Sequence, residues 1–180
     1  MYYAYALPFL SVRTERHLPE RSICRQRRNA MNEDFPVEKV TRLVQSEKRE
    51  QVFISLFISG FYEEADREEA LDTYYDMQNF SAEVTALVHD RYLLVKEKLE
   101  TIDAILARYA IGWDLERIGK AEINILRVAV FEILFDELIP EKVAANEAIE
   151  LAKKYGAKDS YSFINGILGK VIQQQHESGV

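Results

Sequence analysis

Residues Ile123–Phe135 read "INILRVAVFEILF". Apolar side chains fill this stretch on every side of a helical wheel, not along one stripe. A helix of that kind is buried all round and needs a shell of other elements to cover it. Residues 121–138 therefore predict the central, most buried helix of the molecule. Arg127 sits inside the run. An unpaired charge there would be too costly, so the sequence calls for a carboxylate partner.

The shell is legible on both sides. C-terminally, Pro140 ends the central element and an Ala-rich helix follows from Val143 to Tyr155. Gly156 is placed to close that helix in the left-handed region. Asp159 or Ser160 then caps a last helix, with Ile164, Ile167, Leu168, Val171 and Ile172 as its stripe. N-terminally, "IGWDLERIG" turns the chain, with Trp113 as an anchor. Ser81 with Glu83 opens a long helix to about Tyr109, carrying Val84, Leu87, Val88, Leu94, Val95, Leu99, Ile102, Ile105 and Leu106 at three-four spacing. Residues 63–77 predict a short acidic helix with Leu71, Tyr74 and Tyr75 facing inward. From Pro36 the spacing of Val37, Val40, Leu43 and Val44 is also helical. It breaks at Glu47, Lys48 and Gln51 and resumes as Val52, Phe53, Leu56 and Phe57, where Ser46 is placed to cap a second helix. No stretch alternates as a strand does, so the fold class is all-α.

The 180 residues hold 7 glycines and 4 prolines, and that sparse punctuation suits long helices with short connections. The chain carries −7 overall. Six arginines (13, 16, 21, 25, 27 and 28) against Glu15 and Glu20 give the first thirty residues +4, which leaves −11 on the other 150. Any nucleic-acid site on the folded part is then small and local, or shared with a basic partner. Residues 1–35 lack helical periodicity and read as a basic, flexible N-terminal extension. Cys24 is the one cysteine, which excludes an internal disulfide and a cysteine-based metal cluster. His17, His89 and His176 form no ligand-spaced pair. The opening "MYYAYALPFLSV" is too short to span a bilayer and lacks a positive leader. A cytoplasmic location without a membrane role, no metal and no cofactor are the expectations.

Phosphate loops, His-Glu-x-x-His, Gly-x-Ser-x-Gly and Cys-x-x-Cys motifs are missing, so a binding protein is expected and not an enzyme. The candidate site is the corner "KKYGAKDSYSFINGILGKV", Lys153–Val171. A helix start presents free backbone N–H groups to phosphate oxygens. Lys153 and Lys154 add charge beside it. Asp159, Ser160 and Asn165 offer polar groups to base edges, and Tyr161 or Phe163 can stack an unpaired base. The bland alternative is a helix connection in which Phe163 packs inward and Asn165-Gly166 permits close helix approach.

The pieces "ILRVAVFEI", "IPEKVAANEAIELAKKYG" and "DSYSFINGILGKV", in order over about sixty residues, closely resemble the NusB family of transcription antitermination factors. "REQVFISLF", Arg49–Phe57, is similar to that family's first helix, so the resemblance covers roughly 46–173. It implies a helical domain over 36–180 made of two small three-helix lobes, about 36–80 and 81–180, packed nearly at right angles. It also implies binding of boxA-type single-stranded RNA of ribosomal RNA leaders, together with the ribosomal protein NusE and the RNA polymerase antitermination complex. In some members a homodimer covers the RNA face. Transferred to this chain, the resemblance points to Arg42, Lys48 and Arg49 on the first helix as RNA contacts beside the corner, and to Phe57 and Glu122 as contacts for the protein partner. Arg49 lies off the Val52–Phe53–Leu56 stripe and is expected to be exposed. Where family members carry arginines ahead of the Arg-Glu pair, this chain has Gln45 and Ser46, so the basic patch is thin. Three other readings remain: a helical scaffold that has lost RNA binding, the RNA-binding domain of a ribosomal-RNA methyltransferase, and an unrecognised helical enzyme, against which the lack of clustered His, Cys or phosphate-loop motifs counts.

Overall fold

A computed structural model describes residues 40–110 and 114–178 of the chain. The described residues form seven α-helices: α1 (Gln45–Ser59), α2 (Arg67–Met77), α3 (Ala82–Glu97), α4 (Leu99–Tyr109), α5 (Lys120–Phe135), α6 (Glu141–Tyr155) and α7 (Ser160–Ser178). Single 3-10 turns at Glu64–Asp66 and Leu115–Arg117 lead into α2 and α5. The expected all-α class is what is observed. Trp113 and the 1–35 extension lie outside the described residues.

The central helix is α5. Ile125, Leu126 and Val130 on it are wholly buried, and it packs against α1, α4, α6 and α7. Arg127 finds its carboxylate: Nε and Nη2 donate to the two oxygens of Asp103 on α4 at 2.9 and 2.7 Å. α6 and α7 pair closely with each other, and α7 buries Ile164, Ile167, Leu168 and Val171 as its spacing requires. α1 lies across α3 and α5, burying Val52, Phe53 and Leu56.

Four expectations fail locally. The segment from Val40 to Val44 is not helical. Val40 donates to the Asn79 carbonyl and accepts from Ser81 N–H, both at 2.9 Å, in an isolated bridge beside Phe80. α1 therefore starts only at Gln45. Its cap residue is Val44, whose N–H donates to the Glu47 carboxylate at 2.8 Å, so Ser46 falls inside the first turn and caps nothing. The long helix from Ser81 is two helices. Ser81 Oγ does accept Val84 N–H at 3.3 Å, but at Lys98 the backbone leaves helical values (φ −95°, ψ 0°) and its N–H turns to the Val95 carbonyl. Finally, Leu87 and Leu94 face outward, while Tyr92, absent from the expected stripe, is buried with Val84, Val88 and Val95.

Candidate nucleic-acid interface

α6 ends in Lys153, Lys154 and Tyr155, and the chain turns through Gly156, Ala157, Lys158 and Asp159 before α7 starts at Ser160. Gly156 is not in the left-handed region. Its φ and ψ are −80° and 168°, ordinary extended backbone. Glycine is needed there for space, since a Cβ would sit 2.1 Å from Ser160 Oγ and 2.6 Å from the Ala152 carbonyl. The left-handed residue is Asp159, with φ 66°, a conformation that aspartate tolerates better than most residues. Neither expected cap forms through its side chain. The Asp159 backbone carbonyl accepts Ser162 N–H at 3.1 Å, and Ser160 Oγ is buried against Gly156 without a hydrogen-bond partner.

The corner is fastened from below by Glu122. Its carboxylate accepts the Ala157 N–H at 2.7 Å, and its side chain is buried at the start of α5. The expectation of Glu122 as a contact for a protein partner did not include this internal bond. Glu122 positions the site from the α5 side, a role visible only once α5 and the corner are brought together.

Along the start of α7, Tyr161, Ser162, Asn165 and Gly166 are exposed, and Phe163 is half-buried at the edge of the core. Tyr161 and Asn165, four residues apart, share one face. An added Cβ at Gly166 meets nothing within 4 Å, so the expected close helix approach at Asn165-Gly166 is absent. Three lysines precede these groups in the corner. Lys153 pairs along its own helix with Glu150 at 2.6 Å, Lys158 is exposed, and Lys154 pairs with Glu50 of α1 at 2.6 Å.

The first helix meets the corner differently from the expectation. Arg49 is 6% exposed. Its Nε donates to Glu132 on α5 at 2.6 Å and its Nη1 to Glu147 on α6 at 3.0 Å. Arg49 thus ties three helices together and is not the exposed cation expected on this helix. Its neighbour Arg91 on α3 pairs with Asp136 and lies 3.8 Å from Glu132, with its guanidinium 4.8 Å from the Phe131 ring centre. Burial pushes the Glu132 carboxyl above its ordinary value, and the hydrogen bond from Arg49 opposes that shift. Lys48 lines a groove with Leu87 and Leu138 on the α3 side. Arg42 precedes the helix, so it shares no helical face with Gln45, Ser46 and Arg49. α1 reaches the corner through Glu50 and not through its cations. The sequence reading missed both Glu50 and Lys158. Glu50 was hidden because one residue's rotation separates it from a buried arginine.

Phe57 is half-buried, stacked at the end of α1 between Phe53 and the exposed Phe61 (ring centres 6.1 and 5.0 Å apart). Phe61 leaves a large apolar side chain exposed beside it. Among the described residues, no group of histidine, cysteine and acidic side chains could hold a metal ion, and no helix is long and apolar enough to cross a membrane.

A helical protein whose most distinctive surface is a lysine-flanked helix corner, with an aromatic and amide groups beside it, belongs to the class of binding factors. Residues 46–173 match the NusB family. The transcription antitermination protein NusB of Lachnoclostridium phytofermentans is 47% identical over 131 residues, which is 72% of this chain and 99% of that protein. A solved structure of T. maritima NusB superposes with a TM-score of 0.66 at 31% identity, covering 77% of this chain and 99% of that one. The same fold recurs in a crystal structure of antitermination factors NusB and NusE in complex with dsRNA, with a TM-score of 0.59 at 19% identity over 73% of this chain and 99% of that one. The chain belongs to the NusB family.

Proposed function

We propose that this protein acts in transcription antitermination in the cytoplasm, binding boxA-type single-stranded RNA of ribosomal RNA leaders jointly with NusE in the RNA polymerase complex. The observation that carries this reading is the corner. Lys153, Lys154 and Lys158 belong to the same exposed corner as Tyr161 and Asn165, on the fold of this family. Lysines take phosphates as point charges, and an exposed tyrosine accepts an unpaired base of any identity. Asp159, exposed at the turn, accepts hydrogen bonds from base amino groups. Phe57 and Phe61 form the surface for NusE. Residues 36–180 act as the binding domain, and 1–35 are an appended basic segment.

A titration of a boxA-type RNA oligonucleotide, with and without NusE, tests the reading. Tyr161→Ala is expected to weaken RNA binding by about 1–3 kcal/mol, the usual size of one stacking contact. Its melting temperature should stay near that of the parent, because Tyr161 is 41% exposed. Unchanged affinity in Tyr161→Ala and in Lys158→Ala would leave the corner as a helix connection only.

A further inference from the structure

We propose that Glu50 is an internal stand-in for an RNA phosphate, holding Lys154 and Tyr155 in the RNA-free protein and competing with RNA for them. The proposal rests on the RNA reading of the corner. Two donors converge on one carboxylate oxygen: Lys154 Nζ lies 2.6 Å from Glu50 Oε1, and Tyr155 Oη donates to the same atom. An ammonium and a hydroxyl aimed at one anionic oxygen is the donor set that a phosphate oxygen takes. Lys154 Nζ also lies 5.1 Å from the Tyr155 ring centre, which keeps the ammonium over that ring.

The pair is lopsided in a way that suits exchange. The Glu50 side chain is 23% exposed and the Lys154 side chain 58% exposed. The carboxylate is therefore held in place by α1, while the ammonium faces solvent on a flexible stem. Lys153 differs, since its partner Glu150 is on the same helix and both are open to water. That pair constrains little. The Glu50 contact spans 104 residues of sequence and crosses from α1 to α6. It neutralises the lysine nearest the aromatic ring, so an incoming phosphate finds a charge already satisfied. Lys154 is correspondingly held protonated more firmly than a free lysine, chiefly by its hydrogen bond to Glu50.

A thermodynamic cycle tests this on the full chain with NusE and a boxA-type RNA oligonucleotide, over a series of salt concentrations. The four proteins are the parent, Glu50→Gln, Lys154→Ala and the double variant. Glutamine keeps the size and an acceptor oxygen but removes the charge. Glu50→Gln is expected to tighten RNA binding, and the gain should be about two- to fivefold larger with Lys154 present than in the Lys154→Ala background, the range set by a partly exposed ion pair. The salt dependence should steepen by about 0.7 with Lys154 present, one further phosphate contact, and not without it. Equal gains in both backgrounds would mean that Glu50 acts through its general field alone and would overturn the proposal. So would a Glu50→Gln protein that binds no better while Lys154→Ala binds worse; the corner would then stand as the RNA surface without the competition. If Lys154→Ala leaves both affinity and salt slope unchanged even in the Glu50→Gln background, the reading of Lys154 as an RNA contact fails, and the proposal falls with it.

Discussion

Arg49 and Glu50 adjoin in sequence, yet one is locked inside the fold and the other reaches out to the corner. Removing the Arg49 guanidinium leaves Glu132, whose side chain is 5% exposed, with Arg91 at 3.8 Å as its remaining cation. Breaking one side of a buried pair costs about 3–5 kcal/mol, so Arg49→Ala should lower stability by that much in denaturant or thermal unfolding. The pH dependence has a definite sign. Burial raises the folded Glu132 carboxyl above the ordinary value of 4.5, so the folded state holds its proton more tightly than the unfolded state. Stability contributed by Glu132 is then present below that value and lost as pH rises through the folded one. Without Arg49 the folded value moves higher still. The Arg49→Ala deficit should accordingly be smaller at about pH 5 than at about pH 8, as melts at the two conditions would show. Gly156 makes a second residue-scale case. Gly156→Ala forces a methyl group against Ser160 Oγ and a backbone carbonyl, and it should cost about 1–3 kcal/mol, the range for overpacking a filled site.

At the scale of the element, α5 was legible because apolar residues face nearly every direction around it in spite of Asn124, Arg127 and Glu132, and such a helix has one place to go. α3 and α4 were less so. Nothing in the residues around Lys98 announces a break: there is no glycine or proline, and the three-four spacing continues across it. The misplaced side chains have another cause: within α3 the buried line is Val84, Val88, Tyr92 and Val95, and Leu87 and Leu94 each lie one residue off it, so counting leucines as core and passing over a tyrosine assigns all three wrongly. Val40 misled for a different reason. Its spacing fits a helix, but its backbone groups are taken by Asn79 and Ser81, a pairing between distant residues that a local count does not see. α7 yields a prediction of its own. Gly166 and Gly169 lie in the interior of an exposed helical face with nothing within 4 Å of an added Cβ. Glycine costs a helix interior about 0.8–1.0 kcal/mol relative to alanine, so Gly166→Ala and Gly169→Ala should each raise the melting temperature. A loss of stability in either would show that the face is packed after all.

Across the whole molecule, charge decides how the site must work. The sequence made the corner visible through its residue types, since Lys153, Lys154, Tyr161 and Asn165 do stand exposed together. It did not show which side of α1 faces them. Lys48 and Glu50 are two residues apart, roughly 200° around the helix. Lys48 points into the groove with Leu87 and Leu138, and Glu50 points to Lys154, so the cations of α1 and the lysines of the corner lie on different sides of it. This geometry sets a measurable number. A single-stranded RNA bound through the three corner lysines alone should show a log–log salt slope of about 2 in magnitude, at about 0.7 per phosphate. Engagement of Arg42 and Lys48 as well would raise it to about 3.5. With −7 on the whole chain and the Glu50 carboxylate already on Lys154, the protein alone should bind weakly with a slope of about 1.4, from Lys153 and Lys158, and Glu50→Gln should bring it to about 2. Adding NusE should tighten binding and steepen the slope, because the basic partner supplies phosphate contacts that this surface lacks. Titrations at several salt concentrations, with and without NusE, read both quantities. A slope near 3.5 for the protein alone would put the start of α1 back on the RNA path, and a slope that NusE leaves unchanged would remove the shared surface.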